Sequence, residues 1–210
     1  MILRTCLILF FIFSMGQPTA QANQRLGGYL YKNKDLKPTI NHLERLLKHE
    51  YLIQYFSRFP YFEHGGSVNA DFLRSLMIAE SSVNSGAVSS AAAYGLTQIT
   101  LPTGRNAARA ILKYNYNFKY VDERRLANLK ASDLHDPAIN ILICSYLIGK
   151  YNAKYGRQLA LVVSAWNAGE GAVSKYNGVP NYKETMTLVS RVNAYYLFFS
   201  GFSKPKQKSG

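Results

Sequence analysis

Glu80 is the residue of this chain best placed to do chemistry. It is the only acidic side chain between Asp71 and Asp122, and it lies in Glu80-Ser81-Ser82 at the end of an apolar, helix-like run. The residues around it in sequence are apolar, small or basic. Lost solvation disfavours the charged form of a carboxyl group and keeps it protonated. A proton held near neutral pH is what a general acid needs.

A helix must carry this group. Asn69 or Asp71 can cap it, and Phe72, Leu73, Leu76 and Met77 supply an apolar face. Glu80 follows one turn later, where the helix leaves the core, so that it is both buried and reachable. Upstream, Asn23 to Lys37 reads as a flexible lead-in. Pro38-Thr39 opens a helix with Ile40, Leu43, Leu46 and Leu47 on one side, ending before Pro60. Gly65-Gly66-Ser67 reads as a loop. Downstream, the Ser-, Ala- and Gly-rich stretch from Ser81 to Ala93 permits close approach of a ligand. Pro102-Thr103-Gly104 begins a short helix through Ala107, Ala108 and Ile111. The stretch Tyr114 to Tyr120, with Lys119 inside it and Lys113 just before, reads as a groove-lining loop or as packed surface.

Asp136-Pro137 starts a helix with Ile139, Ile143, Tyr146 and Leu147 at helical spacing, and Gly156 stops it. Leu159 to Trp166 is a further helix, Asn167 to Gly171 and Asn177 to Pro180 are turns, and Glu184 to Phe199 is the last helix. There is no internal repeat and no convincing strand. The expected fold is all-α, in one domain: a lead-in and packing helix over 23–66, a functional domain over 67–199, and a basic, disordered tail over 200–210.

The chain has 210 residues, 48% of them hydrophobic, which suits one globular domain and argues against disorder. Its formal charge of +13 favours an acidic partner such as nucleic acid, anionic lipid or a polyanionic cell wall. Arg4, the apolar run Cys6 to Met15, a break at Gln17-Pro18 and Ala20-Gln21-Ala22 form the three-part pattern of a secretory signal. Cleavage is expected after Ala22, so 1–22 is the signal and the address is the periplasm or cell envelope. The apolar run is only about half of the ~20 residues that a spanning helix needs. Export argues against nucleic acid as the partner. Loss of the signal removes Cys6 and leaves Cys144, which falls among Ile141, Leu142, Ile143 and Tyr146 and reads as a buried small hydrophobe. His42, His49, His64 and His135 are scattered, so neither a metal nor a cofactor is expected.

Four segments together carry a resemblance. Glu80-Ser81-Ser82, Ser89 and Tyr94-Gly95-Leu96-Thr97-Gln98-Ile99 resemble the first motif of the soluble lytic transglycosylases. Asp136-Pro137 with Asn140-Ile141 is similar to the second, and Ala165-Trp166-Asn167-Ala168-Gly169-Glu170-Gly171-Ala172-Val173 to the third. Val179-Pro180-Asn181-Tyr182-Lys183-Glu184-Thr185, with Val189, Val192 and Tyr195-Tyr196, is similar to the fourth. The likeness runs in order from Phe72 to Tyr196. It implies a goose-lysozyme-like helical fold (α+β in the broad lysozyme sense) with a substrate groove. It also implies cleavage of the β-1,4 bond between N-acetylmuramic acid and N-acetylglucosamine in peptidoglycan, releasing a 1,6-anhydro sugar without water. The partner is then the peptidoglycan glycan strand, met by a monomer.

Most glycosidases need two carboxylates, and no Asp or Glu occurs from Ser81 to Val121. Glu80 is therefore expected to serve first as acid and then as base, with the sugar's own C6 hydroxyl as nucleophile. The resemblance places Gln98 in the groove near the acid and Ser89 against the muramic acid. Ser81 is a weaker contact or a helix-end cap, and Asn167 a substrate contact or a tie within its turn. Gly95 is expected to allow close packing at the groove floor, and Glu184 to be a structural partner. Three positions depart from the pattern: Trp166 and Leu188 stand where tyrosines are usual, and Thr97 where methionine is common. An indole donates one hydrogen bond and accepts none, so any hydroxyl contact to the acid is lost or replaced. Two other readings remain: a goose-type lysozyme that hydrolyses the same bond, and a non-catalytic peptidoglycan-binding assembly protein. Small exported members of the family often open the wall for secretion, conjugation or pilus machines, so an envelope-spanning apparatus is a further expected partner.

Overall fold

The computed structural model describes residues 20–60, 68–114 and 116–202. Most of the expected export signal, the Gly65-Gly66-Ser67 loop and most of the basic tail lie outside them. The elements in order are α1 (Ala20–Lys32), α2 (Ile40–Leu47), α3 (Glu50–Ser57), α4 (Ala70–Ser81), β1 (Ala93–Tyr94), β2 (Ile99–Thr100), α5 (Leu101–Ile111), α6 (Glu123–Ala127), a 3₁₀ turn (Ala131–His135), α7 (Pro137–Tyr155), α8 (Leu159–Ala168), α9 (Glu170–Tyr176) and α10 (Lys183–Phe202). The expected all-α architecture holds, with one small addition. The strands β1 and β2 pair antiparallel, Ala93 with Thr100 and Tyr94 with Ile99. Strands of two residues leave too little alternation for a sequence pattern to reveal.

Helix α7 is the centre. It is buried on nearly every side from Ala138 to Tyr151, as suits a helix that is apolar all round, and α3, α5 and α8 pack about it. Asp136 caps it, accepting from the amides of Ala138 (2.9 Å) and Ile139 (3.4 Å), and Gly156 ends it at φ 58°. Cys144 is fully buried there, and burial pushes its thiol well above the usual range. A thiol reagent is expected to leave Cys144 unmodified in native protein and to label it only on unfolding; prompt labelling would contradict this burial.

Several boundaries differ from the sequence reading. The expected flexible lead-in is largely helix α1. It begins at Ala20, packs on α10 through buried Leu26, and is pinned by a hydrogen bond from Asn33 Nδ2 to Ser190 Oγ (2.7 Å). Its tertiary partner lies more than 150 residues away, out of reach of a local pattern. The helix expected to run from Thr39 towards Pro60 is broken at Lys48-His49. Leu46 is buried, but Ile40 and Leu47 are 76% and 71% exposed. The expected turn over Asn167 to Gly171 is confined to Gly169, since α9 begins at Glu170. That carboxylate is held by Lys150 and by Lys154. Tyr116 of the Tyr114–Tyr120 stretch packs on Phe59, and Tyr120 on Tyr51 and Tyr55, so the stretch is packed surface against α3.

Asn140 joins the hairpin to α7. Its Oδ1 accepts from the amide (3.1 Å) and hydroxyl (2.7 Å) of Thr97, and its Nδ2 donates to the carbonyls of Tyr94 (3.0 Å) and Leu134 (2.8 Å). The full capacity of one buried amide is thereby used. Gly95, at φ 75°, passes directly over it. A methyl group there would lie 2.2 Å from the Leu134 carbonyl oxygen and 2.6 Å from Asn140 Nδ2. The close packing expected of Gly95 is thus against the 3₁₀ turn and α7.

Candidate active site

Glu80 stands in the last turn of α4. The helix starts at Asn69, whose Oδ1 accepts from the amides of Asp71 (2.7 Å) and Phe72 (3.3 Å). Phe72, Leu73, Leu76 and Met77 are buried along it. It ends sharply two residues after Glu80. Ser82 and Val83 both have positive φ, 56° and 58°, while their amides return to the carbonyls of Ile78 and Met77. A buried β-branched residue in that region is strained and must be held by its surroundings. The sharp exit leaves the Glu80 side chain at the rim of the core.

A cavity of about 490 Å³ opens there, lined by Ala79, Glu80 and Asn167 and by Lys183, Glu184, Thr187, Leu188 and Arg191 of α10. Glu80 Oε1 accepts a hydrogen bond from Trp166 Nε1 at 2.7 Å. Trp166, at a position where the resemblance led to the expectation of tyrosine, thus gives the acid a contact of fixed polarity. Because the indole can only donate, Oε1 accepts, which favours Oε2 as the site of the proton of neutral Glu80. Burial pushes the Glu80 carboxyl up from 4.5 to about 7. The Trp166 hydrogen bond and the charge of Arg191 oppose the rise, and the charge of Glu184 adds to it. Other carboxylates behave oppositely. Glu50 and Glu170 are held below the usual range by Arg74 and by Lys150 with Lys154, whose hydrogen bonds outweigh burial. Among the described residues only a neutral donor hydrogen-bonds the Glu80 side chain, so its proton stays available.

The Trp166 bond favours the charged form, so Trp166→Phe is expected to raise the Glu80 pKa further. Activity that needs protonated Glu80 falls as pH rises through that value. In the variant this fall moves to higher pH, and the plateau rate drops about tenfold as orientation is lost. A pH–rate profile with an unmoved or lowered limb would exclude this role.

Of the other expected site residues, Asn167 shares the cavity with Glu80. Its Oδ1 accepts from Thr185 Oγ1 (2.6 Å) and its Nδ2 donates to Glu184 Oε1 at 3.4 Å. Asn167 thus ties α8 to α10 and also faces the site. Ser81, Ser89 and Gln98 do not line this cavity. Ser81 Oγ donates to the Leu96 carbonyl (2.7 Å) and accepts from the Asn84 amide (3.0 Å), which fastens the loop after α4. Ser89 Oγ accepts from the Ala93 amide (3.1 Å). Gln98, at φ 54°, donates through Nε2 to the carbonyls of Gly95 (3.0 Å) and Ala87 (3.4 Å), which ties it to the loop after α4.

Lys183 was read only as part of the fourth motif, and Thr187 and Arg191 went unread in the sequence. Their signal was the spacing of four along α10, which puts them on one face with Glu184 and Leu188. Glu184 does more than the sequence reading expected. It is tied to Asn167 as a structural partner would be, but it also brings a second carboxylate into the Glu80 cavity from more than 100 residues away. Isolation in the sequence window was not isolation in space.

Solved structures share this fold. The inactive glutamate-to-glutamine mutant of lytic transglycosylase Slt from Pseudomonas aeruginosa is similar over 74% of this chain and 24% of its own, at 17% identity and a TM-score of 0.59. The 70 kDa soluble lytic transglycosylase SLT70 from Escherichia coli is similar over 86% of this chain and 30% of its own, at 19% identity and 0.55. A complex of the 70-kDa soluble lytic transglycosylase with bulgecin A gives 20% identity and 0.60, over 88% and 28%. The chain therefore spans less than a third of the length of these enzymes, and the likeness establishes the shared lysozyme-like helical fold. Residues 63–189 match the transglycosylase SLT domain, a stretch that contains Glu80, its Trp166 donor and the clamp at Asn140. With its fold and more than half its length accounted for in this way, the chain belongs to the transglycosylase SLT domain family.

Proposed function

We propose that this protein is a peptidoglycan lytic transglycosylase. It cleaves the β-1,4 bond from N-acetylmuramic acid to N-acetylglucosamine and leaves a 1,6-anhydro end. The observation that carries this reading is the Glu80 carboxyl: half-buried at the rim of the core, hydrogen-bonded by one neutral donor, and pushed up to about 7 beside an open cavity. At neutral pH such a group is present in both forms, as a residue that is acid and then base requires. Protonated Oε2 gives its proton to the glycosidic oxygen as the C1–O bond breaks. The resulting carboxylate takes the proton of the C6 hydroxyl while O6 bonds to C1. Glu80 ends protonated and no water is consumed. The intramolecular attack replaces an activated water through its high effective molarity. Asn167 and Gln98 are assigned to hold the sugars, with Ser89 and Ser81 shaping the loop beside them.

Glu184 supports a second reading, hydrolysis with two carboxylates. Mass analysis of products from purified peptidoglycan separates the two, since an anhydro end is one water lighter than a reducing end. Only reducing ends, lost in Glu184→Gln, would establish the hydrolase and sink the transglycosylase. The N-terminal pattern supports export to the periplasm or envelope, and local wall opening for a secretion or conjugation apparatus is the assigned setting. Envelope-spanning transport unchanged by deletion of the gene would count against that setting.

A further inference from the structure

Arg191, on α10, is a half-buried cation of the Glu80 cavity that this mechanism leaves unused. Among the described residues its guanidinium makes no hydrogen bond and no ion pair. The chain's other covered arginines find acceptors: Arg74 binds Glu50 and Asp71, and Arg45 donates to the Ser82 carbonyl at 3.1 Å. The acids nearest Arg191 are engaged elsewhere, Glu80 with Trp166 and Glu184 with Asn167. His42 of α2 feels the Arg191 charge, which lowers its pKa together with burial and Arg45, so this neighbour offers Arg191 no anion. Lys183, exposed two turns before Arg191 on the same strip of α10, also has no side-chain acceptor among the described residues. Five donors partly withdrawn from water without an acceptor leave a site that an anion completes.

Resting on the reading of the cavity as a peptidoglycan groove, we propose that Arg191, assisted by Lys183, binds a carboxylate carried by the muramic acid unit and so selects strands with an anionic group beside the scissile bond. N-acetylglucosamine offers no charge. The muramic acid carries a lactyl ether that ends in a free carboxylate, or in a peptide stem with carboxylates of its own. A planar guanidinium matches a carboxylate with two parallel hydrogen bonds, and lysine adds a point charge. Leu188, lying between the two cations on α10, gives the sugar ring an apolar wall. The charge of Arg191 opposes protonation of Glu80 in the free enzyme. A bound carboxylate neutralises that charge, so the proton is held more firmly when the right substrate is seated.

The test uses the whole protein and Arg191→Gln on three glycans: stem-bearing peptidoglycan, strands stripped of stems by an amidase, and strands whose carboxylates have been converted to neutral amides. Arg191→Gln is expected to lose about tenfold or more in kcat/KM on stem-bearing strands, mostly in KM, as loss of a charged hydrogen-bond partner implies. Arg191→Lys recovers part of the loss, and most of the penalty disappears on the neutralised glycan. A penalty that persists on stripped strands identifies the lactyl carboxylate, and one that vanishes there identifies the stem. An equal penalty on charged and neutralised glycans overturns the proposal. Binding of the same glycans by Glu80→Gln, with and without Arg191→Gln, is read separately from cleavage. Charge selection without anhydro products would leave Arg191 in place and remove the transglycosylase reading instead.

Discussion

Glu80→Gln is expected to bind peptidoglycan, fail to cleave it, and melt at a higher temperature than the parent at pH 8. The loss of activity follows from the two proton transfers assigned to one group. A glutamine can accept the Trp166 hydrogen bond at its carbonyl oxygen, so the site keeps its shape, but it can neither give nor take the proton. General acid–base catalysis by a single group contributes about 10²–10⁴-fold, and here both transfers are lost together, so the fall is expected at the upper end or beyond. Cleavage at the parent rate would remove Glu80 from the mechanism. The gain in stability follows from the raised pKa. Between 4.5 and about 7 the folded protein holds a proton that the unfolded chain has released. Stability therefore falls as pH rises through that window, and the whole cost is present above it. A rise from 4.5 to about 7 corresponds to roughly 2–4 kcal/mol. The neutral amide does not bear this cost. The variant's advantage should thus be large at pH 8 and vanish below about pH 4.5, where Glu80 is protonated in both states. Thermal melts across that range check it, and an advantage independent of pH would contradict it.

Gly95→Ala is expected to destabilise the fold more than any single loss at the rim of the cavity. The added methyl would sit 2.2 Å from a backbone oxygen, that of Leu134, and 2.6 Å from Asn140 Nδ2, at a φ of 75°. Neither neighbour can yield cheaply. Leu134 O is fixed in the 3₁₀ turn, and Asn140 cannot turn without breaking bonds to Thr97, Tyr94 and Leu134. Overpacking, a disfavoured backbone and unsatisfied buried amides together are worth at least about 3 kcal/mol. For a chain of this size that lowers Tm by roughly 6–12 °C. Gly171→Ala is the matched control. Its added methyl meets nothing within 4 Å inside α9, and it should leave stability unchanged or slightly raised. Similar melting of the two variants would show that the close approach at Gly95 is not tight.

The sequence by itself determined the helical class, the position of the acid and most helix ends. These are local properties. Asn69, Asp136 and Gly156 act on their own backbone neighbours, and Phe72, Leu73, Leu76 and Met77 form a face whatever packs on it. Glu80 stood out for the same reason, as a charge in a window whose neighbours could not solvate it. Side-chain direction and long-range partners were decided only in the folded chain. Trp166 reaches Glu80 across 86 positions, and α10 brings Lys183, Glu184 and Arg191 to a carboxylate more than 100 residues earlier. Helix α1 exists because α10 covers it, and Ile40 and Leu47 are exposed although their spacing resembles a buried face. Periodicity tells which residues share a side of a helix, but only the neighbouring elements decide whether that side meets core, solvent or substrate.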